Sequence, residues 1–204
     1  MARPEKYDED QILDTALKLL MESGARGVSV AGVVRELGAP SGSVYHRFAS
    51  RDVLLATMWL RTVERFQRGY LEVLDQPDVR QALAQATRWV VRWCREHPAE
   101  GRLLMLPRRE DLMDGDWPES VSRRARAVAE QLNSGMQRFA TRLWPDGQGD
   151  RALLRFAAIS IPQAAVMPYL RGVEQVPVGL EQAVERAVLA ALEMEPYTAE
   201  ISPR

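Results

Sequence analysis

The sequence of 204 residues predicts an all-α protein with an N-terminal three-helix helix-turn-helix domain, residues 1–52, and a larger C-terminal helical domain, residues 53–204. Three observations lead to this prediction. Apolar residues recur three and four positions apart along almost the whole chain. No run of residues alternates as a strand does. Gly or Pro separates one periodic segment from the next, which divides the chain into about nine helices.

Residues 29–51, SVAGVVRELGAPSGSVYHRFASR, contain two short helical patterns with a tight turn between them. The first pattern ends before Gly38, a residue type typical of the position just past a helix end. The second predicted helix covers about residues 41–48, and Val44, Tyr45 and Phe48 form its inner face. Two helices joined by a short turn that contains glycine make a helix-turn-helix.

The outer face of that second helix carries small or hydrogen-bonding side chains. These residues are Ser41, Gly42, Ser43, His46 and Arg47. A face of this kind suits a helix that lies against base edges in a major groove. The pattern therefore predicts a DNA-reading helix.

The charge distribution agrees with this prediction only locally. The whole chain has a formal net charge of -1, which argues weakly against a nucleic-acid partner. Residues 26–51, however, hold four basic residues against one acidic residue. The positive charge is therefore concentrated on the predicted docking surface.

Capping residues predict where the other helices begin and end. Asp8 with Gln11 resembles a capping box at the start of the first helix, which Gly24 is expected to end. Ser29 is the predicted N-cap of the second helix and Ser50 that of a long fourth helix. The later helices are predicted over about residues 78–97, 99–106, 118–143, 150–171 and 180–195.

The segment GVSVAGVVRELGAPSGSVYHRFASRDVLL, residues 27–55, resembles the tetracycline-repressor (TetR) family of bacterial transcriptional regulators. Its most specific part is SGSVYHRF followed by Ser-Arg-Asp-x-Leu, and the resemblance covers about the first quarter of the chain. The sequence departs from the family pattern at Val34, Pro40 and Arg51, where the family usually has Ala, Ser or Thr, and Lys. The resemblance implies a ligand-responsive repressor that binds a near-palindromic double-stranded operator as a homodimer and is released by a small-molecule effector.

The resemblance also implies a set of DNA contacts. The expected residues are Ser29, Ser41, Gly42, Ser43, Tyr45, His46, Arg47 and Arg51. A cation such as Arg51 in the first turn of a helix opposes the helix dipole, but it becomes favourable when a phosphate docks there. The alternative for Arg51 is a solvated side chain. Tyr45 is expected to pack its ring inside and to reach a phosphate with its hydroxyl.

A small-molecule site in the larger domain is likewise implied by the resemblance. The candidate lining residues are Trp89, Trp93, Met105, Met136, Phe139, Gln163 and Met167. Aromatic residues and methionines at helical spacing are more often plain core than pocket. Gln163 is the most informative of the set, because a polar side chain inside an apolar run needs a partner from the protein or from a ligand.

The last two predicted helices are apolar on more than one side, so they need partners on both sides. A second subunit would supply the outer partner. The expected interface residues are Ala158, Ile161, Ala165, Val184, Val188, Ala191 and Leu192. Pro162 and Pro168 conflict with one straight helix, so a kink is expected near them.

Two other functions are weighed, a helical protein–protein adaptor without DNA binding and an enzyme. No catalytic motif is recognised, and His46 and His97 are too few to make a metal site, so neither catalytic residues nor cofactors are expected. The single cysteine, Cys94, fits a reducing cytoplasm. No signal peptide is recognised, and the apolar stretch 152–170 is read as a buried helix rather than a membrane span.

Overall fold

The computed structural model describes residues 7–104, 118–172 and 174–193, and all regular secondary structure in these ranges is helical. Counting the continuous run Arg151–Arg171 as one helix gives nine helices within these ranges. The all-α prediction is therefore confirmed. The elements are α1 (Glu9–Gly27), α2 (Val30–Leu37), α3 (Ser41–Tyr45), α4 (Arg51–Leu74), α5 (Val79–Glu96), α6 (Pro98–Leu104), α7 (Glu119–Leu143), α8 (Arg151–Arg155), a π-helical segment (Phe156–Ser160), α9 (Ile161–Arg171) and α10 (Leu180–Glu193).

The ends of α1 and α2 follow local capping rules. Asp8 Oδ1 accepts a hydrogen bond from the Gln11 amide at 2.8 Å, and the Gln11 side chain accepts one from the Asp8 amide at 3.1 Å. Ser29 Oγ accepts from the Gly32 amide at 3.0 Å. Gly38 closes α2 with φ of 63°, a left-handed conformation that glycine adopts without strain.

Two local predictions for this region differ from the structure. Gly24 has φ of 69°, but it bends α1 rather than ending it, and the helix continues to Gly27. α3 begins at Ser41 without a side-chain cap and is shorter than predicted. Val44 and Phe48 are buried on its inner side, as predicted, whereas Tyr45 is 46% exposed and faces outward.

A compact apolar core holds α1, α2 and α3 together and is here called the head core. It also takes in residues from two later helices, Leu54, Leu55 and Met58 of α4 and Leu103 of α6. Buried side chains therefore connect the head, α1 to α3, to the rest of the protein. Its other buried members are Ile12, Leu13, Ala16, Leu17, Leu20, Val28, Val30, Val33, Ala39, Val44 and Phe48.

The helix α4 connects the head to the larger domain without a break. Its 24 residues extend about 36 Å at the usual rise per residue. Its first half packs in the head core, whereas Tyr70, Leu71 and Leu74 pack in the core of the larger domain with α5, α7, α9 and α10. The predicted domain boundary at residues 52 and 53 falls inside the first turn of this helix.

Pro162 is accommodated by a local change of helix type. Proline has no amide hydrogen, so the carbonyl of Ala158, four residues earlier, loses its usual helical partner. The helix is π-helical over Phe156–Ser160, and the buried Tyr70 hydroxyl donates to the Ala158 carbonyl at 3.2 Å. The interruption expected near Pro162 thus lies one turn before it, while Pro168 is contained within α9.

Two helix C-termini in the larger domain are closed by arginines from distant segments. Arg142 of α7 donates to the carbonyl of Leu74 at 3.0 Å and to that of Gln76, at the end of α4. Arg102 of α6 donates to the carbonyls of Leu170 at 2.8 Å and Gly172 at 3.2 Å, at the end of α9. A cation at a helix C-terminus also interacts favourably with the helix dipole.

Candidate nucleic-acid interface and ligand cavity

The predicted reading face of α3 is open to solvent. Ser41, Gly42 and His46 are exposed, and a Cβ added at Gly42 would meet no atom within 4 Å. Tyr45 presents nearly half of its surface beside them. Together these side chains form a surface of small and hydrogen-bonding groups that another molecule can approach closely.

Two other residues of the predicted set are held within the head itself. Ser43 Oγ donates to the Pro40 carbonyl at 2.7 Å, one turn back along the chain. Arg47 Nη1 donates to the Ser43 carbonyl at 2.9 Å. Both side chains are half-buried. Both bonds link carbonyls in or next to α3 to side chains one turn further along, so both residues support the short helix locally.

Arg51 has a structural partner that the sequence did not indicate. Its Nε donates to the Val28 carbonyl at 3.0 Å and its Nη2 to the Ala25 carbonyl at 2.6 Å. Its Nη1 lies 3.4 Å from Asp52 Oδ1. The guanidinium therefore closes the C-terminus of α1, where the helix dipole favours a cation. This engagement differs from the solvated alternative, whereas the phosphate contact of Arg51 stays a prediction.

A cavity of about 220 Å³ lies between α4, α5, α7 and the run α8–α9. Aromatic and aliphatic side chains make up most of its wall, together with two glutamines and the single thiol. The lining residues are Trp59, Val63, Phe66, Gln67, Tyr70, Val90, Trp93, Cys94, Leu104, Leu132, Ala158, Ile159 and Gln163. Gln163 lines the cavity and is also exposed to solvent, so it lies at the opening of the cavity.

The structure brings only part of the predicted effector set to this cavity. Trp93 and Gln163 line it. Trp89 instead covers Gly69 on α4, where an added Cβ would lie 2.3 Å from the indole ring. Met136 and Phe139 are buried in the core outside the lining, and Met167 is half-buried away from it. The remaining residue of the set, Met105, lies outside the described residues.

Gln67 is one of the cavity residues that the sequence analysis missed. It is 9% exposed, and its side-chain oxygen has no hydrogen-bond partner in the described part of the chain. It shares one face of α4 with the buried residues Val63 and Tyr70, which lie four positions before it and three positions after it. The argument applied to Gln163, a polar side chain on an apolar face, would have found it.

The predicted interface residues divide between the two sides of the last helices. Ala158, Val184 and Val188 are buried in the core of the subunit itself, so they are not available to a partner chain. The reason is that α10 packs this stripe against α5. The other four are half-buried at the border of that core, namely Ile161, Ala165, Ala191 and Leu192.

Among the residues described, no group of three or more His, Cys, Asp or Glu is arranged to hold a metal ion. One helical run there, Arg151–Arg171, has the length and composition of a membrane span, with 33% of its most apolar window buried. Core helices of globular proteins meet the same criterion, so this run is weak evidence of a membrane segment.

A small head that presents an exposed two-helix motif, joined to a helical domain with an apolar cavity, is the architecture of a helix-turn-helix DNA-binding protein. Residues 12–58 match the family model of bacterial regulatory proteins of the tetR family. The match covers about a quarter of the chain, and over these residues it confirms the resemblance predicted from the sequence.

One curated relative and two solved structures are similar to this chain. The chain is 31% identical over 84 residues to the HTH-type transcriptional repressor ComR of Escherichia coli K12, and the match covers 40% of each protein. It superposes on FadR from Bacillus subtilis, solved in complex with stearoyl-CoA, with a TM-score of 0.71, 14% identity and coverage of 90% and 99% of the two chains. For the TetR-family regulator PfmR from Thermus thermophilus the TM-score is 0.69 at 18% identity, with coverage of 93% and 100%. At these identities the two structures establish the fold.

Proposed function

We propose that this protein is a ligand-responsive transcriptional repressor that binds a near-palindromic operator as a homodimer. The observation that carries the proposal is the exposed face of α3, with open space at Gly42 beside Ser41 and His46. A helix whose outer face lacks large side chains can approach base edges closely. In this proposal residues 1–52 read DNA, and residues 53–204 bind the effector and form the dimer.

The contacts that we propose for DNA follow from exposure. Ser41, Gly42 and His46 would face bases, and the Tyr45 hydroxyl would reach a phosphate. The N-cap Ser29 is exposed as well and would lie near the backbone. Ser43 and Arg47 would contribute mainly by holding α3 in shape, and Arg51 by anchoring α1.

The proposed dimer uses the outward side of the last helices. Phe156 is 53% exposed, and Ala164 on the same helical run is exposed too. On α10 the exposed alanines 183, 187 and 190 follow helical spacing and form one small-residue stripe. Small side chains let two helices approach closely, and a large exposed aromatic ring gains by being covered. This face replaces the buried residues Ala158, Val184 and Val188 of the first prediction.

The cavity between α4, α5, α7 and the run α8–α9 is the proposed effector site. An apolar cavity with a few polar groups, enclosed between helices, is the usual form of a small-molecule site. The fold neighbour solved with stearoyl-CoA supports a small-molecule effector in general. An effector can release DNA only if it prefers the conformation with the lower DNA affinity.

Footprinting with purified protein on the DNA upstream of its own gene tests the proposal. We expect protection of a near-palindrome whose half-sites are about one helical turn apart, or a multiple of that spacing. Tyr45→Ala should weaken binding about tenfold, in line with the loss of a hydrogen bond to a charged group. The matched control Gln131→Ala, exposed on α7, should bind as the parent does. Absence of any protected site at low salt would overturn the proposal.

A further inference from the structure

We propose that the cavity binds an uncharged, mainly aromatic molecule of one or two rings that carries a hydrogen-bond donor. This inference deepens the proposed function and rests on it only in treating the cavity as the effector site. It is argued from the size of the cavity, the charge of its wall, its aromatic surface and one unpartnered amide.

The size of the cavity limits the ligand to a small molecule. Its volume of about 220 Å³ is somewhat larger than the dry cavity of about 150 Å³ that accommodates benzene in an engineered protein. It is smaller than the roughly 300 Å³ at which sites for drug-sized ligands begin. One or two fused rings with a small substituent fit this volume, whereas only part of a coenzyme A thioester would enter it.

The described part of the cavity wall offers no counterion. None of the lining residues in the described ranges carries a charge at neutral pH, since this set consists of apolar and aromatic side chains, two glutamines and a thiol. Burial raises the pKa of the Cys94 thiol to about 12, so it stays protonated. Burial also raises the pKa of the Tyr70 phenol. A carboxylate, phosphate or ammonium group would be desolvated there without a partner, which is costly.

Aromatic rings form one continuous part of the wall. Phe66 makes an edge-to-face contact with Trp93, with ring centroids 5.0 Å apart, and stacks on Tyr70 at 5.9 Å. Trp59 lines the same cavity. Further rings are attracted to such surfaces in edge-to-face or offset arrangements. A flat aromatic ligand extends this cluster better than a flexible acyl chain does.

One polar side chain is left for the ligand to satisfy. The Gln67 side chain is nine-tenths buried, and its oxygen accepts no hydrogen bond within the described residues. The other deep polar group, the Tyr70 hydroxyl, already donates to the Ala158 carbonyl. Gln163 is exposed at the opening, where water reaches it. A hydroxyl or N–H donor on the ligand would therefore be recognised by Gln67.

Calorimetric titration of the full-length protein with four probes tests this chemistry. 2-Naphthol supplies two rings and a donor, 2-methoxynaphthalene lacks the donor, 2-naphthoate adds a charge, and octanoyl-CoA represents the thioesters. We expect 2-naphthol to bind about three- to tenfold more tightly than 2-methoxynaphthalene, as for one net hydrogen bond. The two anionic probes should bind at least about tenfold more weakly than 2-naphthol.

The variant Gln67→Met tests whether the Gln67 side-chain oxygen causes the preference for a ligand that carries a hydrogen-bond donor. Methionine keeps the length and volume of the side chain, so 2-methoxynaphthalene should bind as before while the preference for 2-naphthol falls to about one. The control Gln131→Met, exposed on α7, should keep the preference. Tighter binding of either anionic probe than of 2-naphthol overturns the inference, as does binding of none of the probes. A preference that survives in Gln67→Met overturns the role of Gln67. The comparison of probes on the unaltered protein stands even if the variant fails to fold.

These measurements need no DNA, so the two proposals can fail separately. Binding of 2-naphthol by a protein that protects no operator overturns the proposed function and supports the cavity chemistry. Operator binding by a protein whose cavity prefers 2-naphthoate or octanoyl-CoA supports the regulator and overturns this inference alone.

Discussion

The head and the larger domain differ in how completely their polar groups are satisfied. The capping groups of the head, among them Asp8, Ser29 and Arg51, all find partners within the head, the first two three residues away and Arg51 across 23 and 26 residues. Among the residues described, the larger domain contains unpartnered buried polar atoms on Arg61, Gln67, Trp89 and Arg95. A DNA-reading surface needs a fixed shape. A ligand-binding domain instead gains selectivity from buried polar groups that find a hydrogen-bond partner only when the ligand binds.

The two regions nevertheless share buried contacts along α4 and α6. The buried guanidinium of Arg61 on α4 donates to Asp10 Oδ1 at 2.8 Å and to Asp14 Oδ1 at 2.6 Å, both on α1. Leu103 of α6 is fully buried in the head core. The head and the larger domain are therefore joined by buried contacts. Variants at the junction can test whether the two regions unfold together.

The largest effect is expected from Leu103→Ala, which removes a fully buried side chain of α6 from the head core. The free energy of unfolding should fall by about 2–5 kcal/mol, because a cavity remains in the core. Urea unfolding should show one transition for the whole chain. Circular dichroism follows all helices, and tryptophan fluorescence follows the larger domain together with its border with the head core, where Trp59 packs. Leu37→Ala, at a half-buried site, serves as the control with a smaller loss. Two separate transitions would show that the regions unfold independently.

A smaller effect is expected from Arg51→Met, which removes the closure of α1. The free energy of unfolding should fall by about 2 kcal/mol, as for hydrogen bonds from a charged donor. If Arg51 acts only by anchoring α1, as proposed, the salt dependence of operator binding should keep its slope. Arg126→Met, exposed on α7, should change neither quantity. A slope smaller by about one, without loss of stability, would restore Arg51 as a phosphate ligand.

The smallest expected effect is a pH dependence of the stability that arises from Cys94 in the larger domain. Burial raises the pKa of Cys94 from its ordinary value of 9.0 to about 12. The unfolded chain therefore releases this proton first, and the contribution of the neutral thiol to stability is full below pH 9 and is lost as the pH rises towards 12. Between pH 7 and 10 the stability difference between the parent and Cys94→Ala should shift by about 1 kcal/mol against the parent. Urea unfolding at both pH values measures it, and an unchanged difference would contradict a buried neutral thiol.

Features that depend on neighbours in sequence were predictable. The capping box at Asp8, the N-caps Ser29 and Ser50, and the turn glycine Gly38 each involve bonds across three or four residues, and all four are present. The α3 surface was predictable for the same reason, apart from the outward turn of Tyr45. Capping chemistry is encoded locally, so a single sequence suffices to read it.

Features that depend on distant contacts were not predictable. The Arg51 closure spans 23 residues, and the bond from Tyr70 to the Ala158 carbonyl spans 88. The cavity is a space left by several helices at once, so a residue such as Trp89 or Phe139 has the same sequence signature whether it lines that space or packs beside it. Only the packed arrangement distinguishes the two cases.

The arginine closures also set an order for folding during synthesis, when the N-terminus leaves the ribosome first. The end of α1 is complete once residue 51 has emerged, 23 residues after the Val28 carbonyl that it binds. The end of α4 waits longer, because Arg142 follows the Leu74 carbonyl by 68 residues. A nascent chain can therefore close the end of α1 early, whereas its head core is complete only when Leu103 of α6 has also emerged.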